Sequence, residues 1–393
     1  MRLAPPRTSN NSNNLMPESR HSSTFSRIDK WRSLSVVVLI LGLLSVGCDY
    51  NSDMTTFSTA GPVAAKQALL FNVLLWVMVV VFVLVEGALV YAAIKFRRRP
   101  GDPLPKQVHG NTVLEITWTV IPTILILALG VWSVQTLFEL DKPPAGSDVL
   151  EIAATGHQWW FEFEYPDADG NGTFVTTANE LRVPVNRPVH VDLHSDDVLH
   201  SFWIPRLAGK VDMVPTRNNH LWFQSDEIGV FHGQCAELCG RAHALMKFRV
   251  QVLSEEDYLA WVNGFGQEPE LSAEATQGQV VFNGEGGCVV CHSATGSDSP
   301  ATVDARVQGF LAGRESPIAP GPNLTDLATR ETFAAGILDL NRENLRKWIT
   351  DPESVKSGNY MSGRAMVYQT EDGTTKLNQK QVSHVIEYLL SLK

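Results

Sequence analysis

The chain has 393 residues, 44% of them hydrophobic and 19% charged, with a formal net charge of −10 and five cysteines. That length accommodates two or three domains. The acidic balance, with no basic cluster of the kind that holds nucleic acid, excludes nucleic-acid binding. The cysteines (Cys48, Cys235, Cys239, Cys288, Cys291) fall as one single and two closely spaced pairs, a pattern that reads as site chemistry and leaves none over for a structural disulfide.

Residues 1–33 are rich in Ser, Asn, Pro and Arg and cannot build a core. The apolar block 34–46 follows Lys30 and Arg32 and is too short to span a bilayer comfortably. It reads as the apolar region of a signal peptide ending in Leu44-Ser45-Val46-Gly47-Cys48. That ending resembles a bacterial lipoprotein box, although Ser45 departs from the usual aliphatic residue. The resemblance implies a leader over 1–47 and lipidation of Cys48; an uncleaved anchor helix is the alternative. The leader carries six Lys/Arg against two acids, so the remainder holds a net −14, which steers a basic redox partner. Met16 is a second candidate start.

Two apolar stretches, 69–94 and 116–138, have the length of membrane helices. Lys95, Arg97, Arg98, Arg99 and Lys106 lie between them, which places that connection on the cytoplasmic side and both outer ends on the other face. Residues 48–140 are therefore expected to form a transmembrane hairpin. Glu86, inside the first span, is costly there unless a neighbouring subunit pairs with it, and it receives no function. Glu115 opens the second span, where a carboxylate suits a helix N-terminus.

From Val149 the period changes to alternation. Trp159, Phe161, Phe163 and Tyr165 share one face of a strand and Trp160, Glu162 and Glu164 the other. Val189 to Leu193 alternates too, and Pro, Asn, Asp and Gly clusters punctuate the runs. A β-sandwich or barrel is expected over 146–255. The loop after Phe231 carries Cys235, Cys239, His243 and Met246, and His200 stands upstream in a polar turn. Thiol, imidazole and thioether together favour copper or zinc over hard cations, and the thioether tilts the choice to copper. A structural Cys2His2 zinc site is the plain alternative for the loop alone.

Residues 256–271 read as a link to a further unit at 272–393. There Cys288-Val289-Val290-Cys291-His292 is a c-type haem attachment sequence, two thiols for the vinyl groups and an adjacent imidazole for the iron. A Cys-x-x-Cys redox pair is the rival, disfavoured by His292. Helices are expected at 277–282, with Gly278 and Phe282 on one side, and at about 379–392; the pair resembles the terminal helices of small cytochromes c, which implies that Tyr388 crosses Phe282 near Gly278.

The pattern His200…Cys235-x3-Cys239-x3-His243-x2-Met246 resembles the dinuclear copper (CuA) site of cytochrome c oxidase subunit II. The haem motif resembles that of class I cytochromes c, and together they resemble a caa3-type bacterial oxidase subunit. The resemblance implies a multidomain fold: a two-helix transmembrane hairpin, an all-β cupredoxin-like CuA domain and an all-α cytochrome c domain. The copper ligands it implies are His200, Cys235, Cys239, His243, Met246 and the Glu237 carbonyl. It further implies Trp159, in Gly156-His157-Gln158-Trp159-Trp160, as the residue that receives electrons over the copper, whereas alternation alone makes it a core aromatic. Glu115 would lie near a proton pathway, and Glu237 with Asp212 near a magnesium site facing subunit I. Pro322 would accept a hydrogen bond from His292, and Met361 would be the sixth haem ligand. Ser357 and Ser362 depart from the family's ligand loop, so Met366 is the alternative.

The function implied is an electron-transfer subunit of a respiratory haem–copper oxidase, working with subunits I and III and a cytochrome c donor. It would sit in the plasma membrane with its soluble domains outside, and the oxygen chemistry, coupled to proton translocation, would take place in subunit I. A copper-bearing nitric oxide reductase subunit shares the loop and is one rival; a lipid-anchored zinc-and-haem sensor is the other.

Overall fold

The computed structural model describes residues 52–146, 148–294 and 321–393, with Leu39 and Gly42; Cys48 and the body of the expected leader lie outside them. Two long helices come first. α1 (Pro62–Lys95) begins with proline, whose missing N–H would be unpaired in any first turn. α2 (Thr112–Glu139) is capped by Asn111, whose side chain accepts from the Val113 and Leu114 N–H groups. Both extend a few residues beyond the expected spans, and beyond the buried Val63 and Ala64 at the start of α1 their apolar side chains are largely exposed on all sides, as in a helix whose surroundings are apolar. Lys66 and Glu139 pair at 2.8 Å between the two helices.

The β unit is a sandwich of two five-stranded sheets. One runs in the order β3-β2-β1-β5-β8, comprising β1 (Leu150–His157), β2 (Trp160–Tyr165), β3 (Val175–Ala178), β5 (Val189–Ser195) and β8 (Asn219–Phe223). The other runs β4-β10-β9-β6-β7, comprising β4 (Glu180–Pro184), β6 (His200–Trp203), β7 (Lys210–Met213), β9 (Gly229–Cys235) and β10 (Lys247–Leu253). The β1–β5 and β4–β10 pairs are parallel and the other pairs antiparallel. Phe161 and Phe163 of β2 meet Phe202 and Phe248 from the facing sheet, all four fully buried, with ring centroids 4.6–6.4 Å apart. The Trp222 indole donates to the Leu140 carbonyl, tying the end of α2 to the sandwich.

The stretch 256–271 corrects one expectation, because it is not simply a link. Its first half belongs to α3 (Glu255–Gly264), capped by Ser254. Tyr258 and Val262 on that helix are buried in the sandwich core, and the Tyr258 hydroxyl donates to the Ala168 carbonyl.

The last unit is helical, with α4 (Ala273–Asn283), α5 (Arg342–Thr350), α6 (Pro352–Val355), α7 (Tyr360–Arg364) and α8 (Gln379–Leu389). α4 crosses α8 at Gly278, where a Cβ atom would lie 1.9 Å from the His384 carbonyl oxygen, so only glycine permits this approach. Phe282 and Tyr388 meet edge to face at 5.4 Å beside it, as the resemblance to small cytochromes c implies. A two-stranded hairpin, β11 (Thr332–Phe333) and β12 (Leu338–Asp339), was not foreseen.

That hairpin region is where the helical unit seats on the sandwich. The Glu180 carboxylate accepts from the Thr332 N–H and hydroxyl, both at 2.7 Å, from the Glu331 N–H and from the Gln251 amide. The Arg182 guanidinium donates to the Thr329 carbonyl at 2.7 Å and hydroxyl at 3.0 Å and lies 3.7 Å from Asp326. All residues of β3 and β4 are buried as a result. Trp160 points away from the core as alternation requires, yet it is buried, because Ala335 covers it and the His157 ring stacks on it at 4.3 Å.

Candidate metal and haem centres

Strand pairing assembles the first centre. β6 and β9 run side by side with Phe202 opposite Cys235, so His200 at the start of β6 arrives beside the thiol at the end of β9. The loop then turns back through Cys239 and a short 3₁₀ turn (His243–Leu245) before Met246 enters β10. Cys235 Sγ lies 3.7 Å from Cys239 Sγ and 3.9 Å from His200 Nδ1. Cys239 Sγ lies 3.6 Å from His243 Nδ1 and 3.9 Å from Met246 Sδ. Cys235 Sγ lies 3.2 Å from the Glu237 carbonyl oxygen. All six donors expected from the sequence therefore converge, with both cysteines free and buried and Met246 fully buried. Two thiols, two imidazoles, a thioether and a carbonyl fit a copper pair, and the thioether in contact with Cys239 is the donor that zinc has least use for.

Two supporting residues were not evident from the sequence. Asp197 Oδ1 lies 2.8 Å from His200 Nε2 and so turns Nδ1 toward the sulfur. Burial opposes protonation of His200, but the Asp197 and Cys235 contacts outweigh it and its pKa is raised. Gly156 is the other: a Cβ there would sit 2.8 Å from the His200 ring. In the bare thiol pair the Cys235–Cys239 contact is the main cause that holds the Cys235 pKa down and drives that of Cys239 up, so the pair keeps one proton between the two sulfurs.

The second centre is an apolar cavity in the helical unit, lined by Cys288, Cys291, His292, Pro322 and Met361 among aliphatic and aromatic side chains. The His292 ring donates from Nδ1 to the Pro322 carbonyl at 2.8 Å, which leaves Nε2 as a lone-pair donor. Burial lowers the His292 pKa against the opposing pull of that carbonyl, keeping the ring neutral as a ligand must be. Met361, on α7, lines the cavity, whereas Met366 is 61% exposed. An apolar chamber with two thiols, a neutral imidazole and a thioether fits a haem.

Trp159 joins the two centres. It is buried, lines the haem cavity, and donates from Nε1 to the Cys239 carbonyl at 3.0 Å. Gln158 donates to the same carbonyl at 2.7 Å and accepts from the Tyr360 hydroxyl at 2.5 Å, and the Tyr360 ring lies 5.0 Å from the Trp159 indole.

Of the remaining candidates, Glu115 lies apart from these centres, while the Glu237 side chain points away from the thiols toward Lys210. Glu115 accepts from the Asn111 N–H at 3.3 Å, a capping contact at the end of α2 remote from the sandwich. The Glu237 side chain is half-exposed, 3.9 Å from Lys210, which lies 3.9 Å from Asp212.

Comparison with known proteins gives three family matches in chain order. The transmembrane domain of cytochrome c oxidase subunit II matches residues 50–136, the periplasmic domain of the same subunit residues 168–253, and cytochrome c residues 275–393. The chain is 38% identical over 374 residues to cytochrome c oxidase subunit 2 of Alkalihalophilus pseudofirmus, covering 92% of this chain and 98% of that one. The Bacillus sp. (strain PS3) subunit of the same name is 38% identical over 380 residues, with the same coverage. Among solved structures, the periplasmic domain of subunit II of the Bradyrhizobium japonicum cytochrome oxidase is 34% identical, covers 31% of this chain and 94% of its own, and has a TM-score of 0.28.

Proposed function

The chain belongs to the cytochrome c oxidase subunit II family, with a cytochrome c domain at its carboxyl end, and on that premise we propose that it relays electrons from a cytochrome c donor, by way of its own haem and CuA, to haem in subunit I. Membership makes it a membrane-bound component of an oxidoreductase complex, with copper implied by one domain and haem by the other. When bound, these groups supply one-electron chemistry with little rearrangement. His200, Cys235, Glu237, Cys239, His243 and Met246 would hold the copper pair, with Asp197 orienting His200. Cys288 and Cys291 would anchor the haem, and His292, oriented by Pro322, would hold its iron together with Met361.

The observation that carries this reading is the position of Trp159, in the wall of the haem cavity and hydrogen-bonded to the carbonyl of Cys239. A single buried residue thus touches both the haem cavity and the backbone of the thiol loop. In the proposed topology the hairpin crosses the plasma membrane of a bacterium. The soluble domains stand on the outer face, with Cys48 lipidated after removal of residues 1–47. Subunits I and III pack against the spans, Glu115 lies near a proton pathway, and Glu237 with Asp212 faces a magnesium site. Reduction of dioxygen and proton translocation belong to subunit I. Isolation of the membrane complex and measurement of oxygen uptake with reduced cytochrome c tests the reading. Uptake that depends on this chain supports it, and uptake unchanged when the chain is deleted contradicts it.

A further inference from the structure

Lys356 is a buried cation that neither centre requires. It follows α6, five residues before Met361, is 4% exposed, and donates from Nζ to the Trp159 carbonyl at 2.5 Å. Its stem lines the same cavity as Cys288 and His292, and Cys239 lies close enough to act on its charge. A lysine is rarely buried without a purpose that outweighs its desolvation. Here burial pushes its pKa down to about 7, against the opposing pull of Cys239.

We propose that Lys356 is a positioning residue for electron transfer within this chain: its ammonium holds the Trp159 backbone against the haem-binding unit while the indole holds the carbonyl of Cys239. The inference rests on the relay reading above and adds a residue to it. The Gln158-Trp159 dipeptide is secured on both sides. Toward the copper loop, the Trp159 indole and the Gln158 amide both reach the Cys239 carbonyl. Toward the haem unit, Tyr360 holds Gln158 and Lys356 holds Trp159. Removing Lys356 leaves the Trp159 backbone without its clamp to the haem side, and transfer across such a gap depends steeply on position. While the amine is protonated, its positive charge has a second consequence: in a low-dielectric seam it favours the reduced state of each neighbouring centre.

The test uses the full chain in its complex, loaded with both cofactors, and two variants. Lys356→Met keeps the aliphatic stem but removes donor and charge; Lys356→Gln keeps a donor and removes the charge. Three quantities are read: the rate at which an electron leaves flash-reduced haem for the copper pair, the haem midpoint potential, and hydrogen exchange of residues 156–160 in copper-depleted protein. Lys356→Met should slow transfer about tenfold and speed exchange about tenfold, the scale of one lost charge-assisted hydrogen bond. Lys356→Gln should stay within about threefold of the parent in both, because it keeps a donor, and both variants should lower the haem potential. A Lys356→Met protein with parental rate and parental exchange overturns the proposal. Should that variant fail to fold, Lys356→Gln decides, and a haem potential equal to the parent's overturns it. If the parent itself passes no electron from haem to copper, the relay reading fails, while exchange still judges the clamp.

Discussion

The Trp159 indole donates a hydrogen bond to the Cys239 carbonyl across 3.0 Å, so the wall of the haem cavity and the backbone of the thiol loop are one hydrogen-bonded unit. Trp159→Phe keeps an aromatic ring but deletes the donor. It should slow haem-to-copper transfer about tenfold, from the lost indole hydrogen bond and the coupling it carries, with Gln158 still donating to the Cys239 carbonyl and the copper and haem spectra in place. Stopped-flow reduction followed at both centres checks this. A parental rate in the variant means that electrons take another route.

The two methionines separate cleanly. Met361→Leu should remove the methionine-to-iron absorption band and give a high-spin or newly ligated iron, because only Met361 lines the cavity. Met366→Leu, at an exposed position, should leave that band unchanged. The reverse pattern moves the ligand to Met366.

Gly156 and His200 form a steric pair whose disruption should affect one metal only. Gly156→Ala pushes a methyl group into the His200 ring, and His200→Asn removes the ligand itself. Each should reduce copper content while haem remains attached. Metal analysis beside the haem absorbance is the readout, and loss of both centres would show that the two units do not fold independently.

Glu180 anchors the helical unit. Glu180→Ala strands the N–H groups of Glu331 and Thr332 and the Gln251 amide, at a cost of about 3 kcal/mol. Calorimetry should show the sandwich and haem units melting apart in the variant. Unchanged, joint melting means that the seam is held elsewhere.

Glu164 titrates near neutrality: burial, with Glu162 and Asp196 nearby, raises its pKa from 4.5 to about 7. A raised folded pKa gives stability that is present in full below pH 4.5 and lost as pH rises through 7. Glu164→Gln should flatten that dependence and stabilise the protein at pH above 7 by about 1 kcal/mol, allowing for partial solvent screening. Thermal melting across that pH range checks it. A variant with the parental slope assigns the titration to another group.

Both candidate centres were legible because chemistry restricts what such sets of residues can hold. Two thiols four residues apart with an imidazole and a thioether, or Cys-x-x-Cys-His, admit few other uses, and strand or helix geometry only brings them together. The spans were legible from length and apolarity, and the crossing of α4 over α8 from the likeness of Gly278, Phe282 and Tyr388 to the terminal helices of small cytochromes c. The seam between the soluble units was not. Glu180, Arg182 and Lys356 look like surface charges in one dimension, since a strand or loop facing a second domain carries the same polar residues as one facing water. Trp160 shows the same limit: alternation gave its direction, and only the packing of Ala335 gave its burial. Asp197 had a weak signal, three residues before His200 in a polar turn, and its role becomes evident only from the 2.8 Å contact.

The most direct measurement is elemental analysis of the purified complex together with copper spin resonance. A copper pair for every covalently attached haem of this chain, with the multiline signal of a shared electron, is the predicted result. Full haem occupancy with zinc, or with no metal at the thiol loop, would contradict the relay.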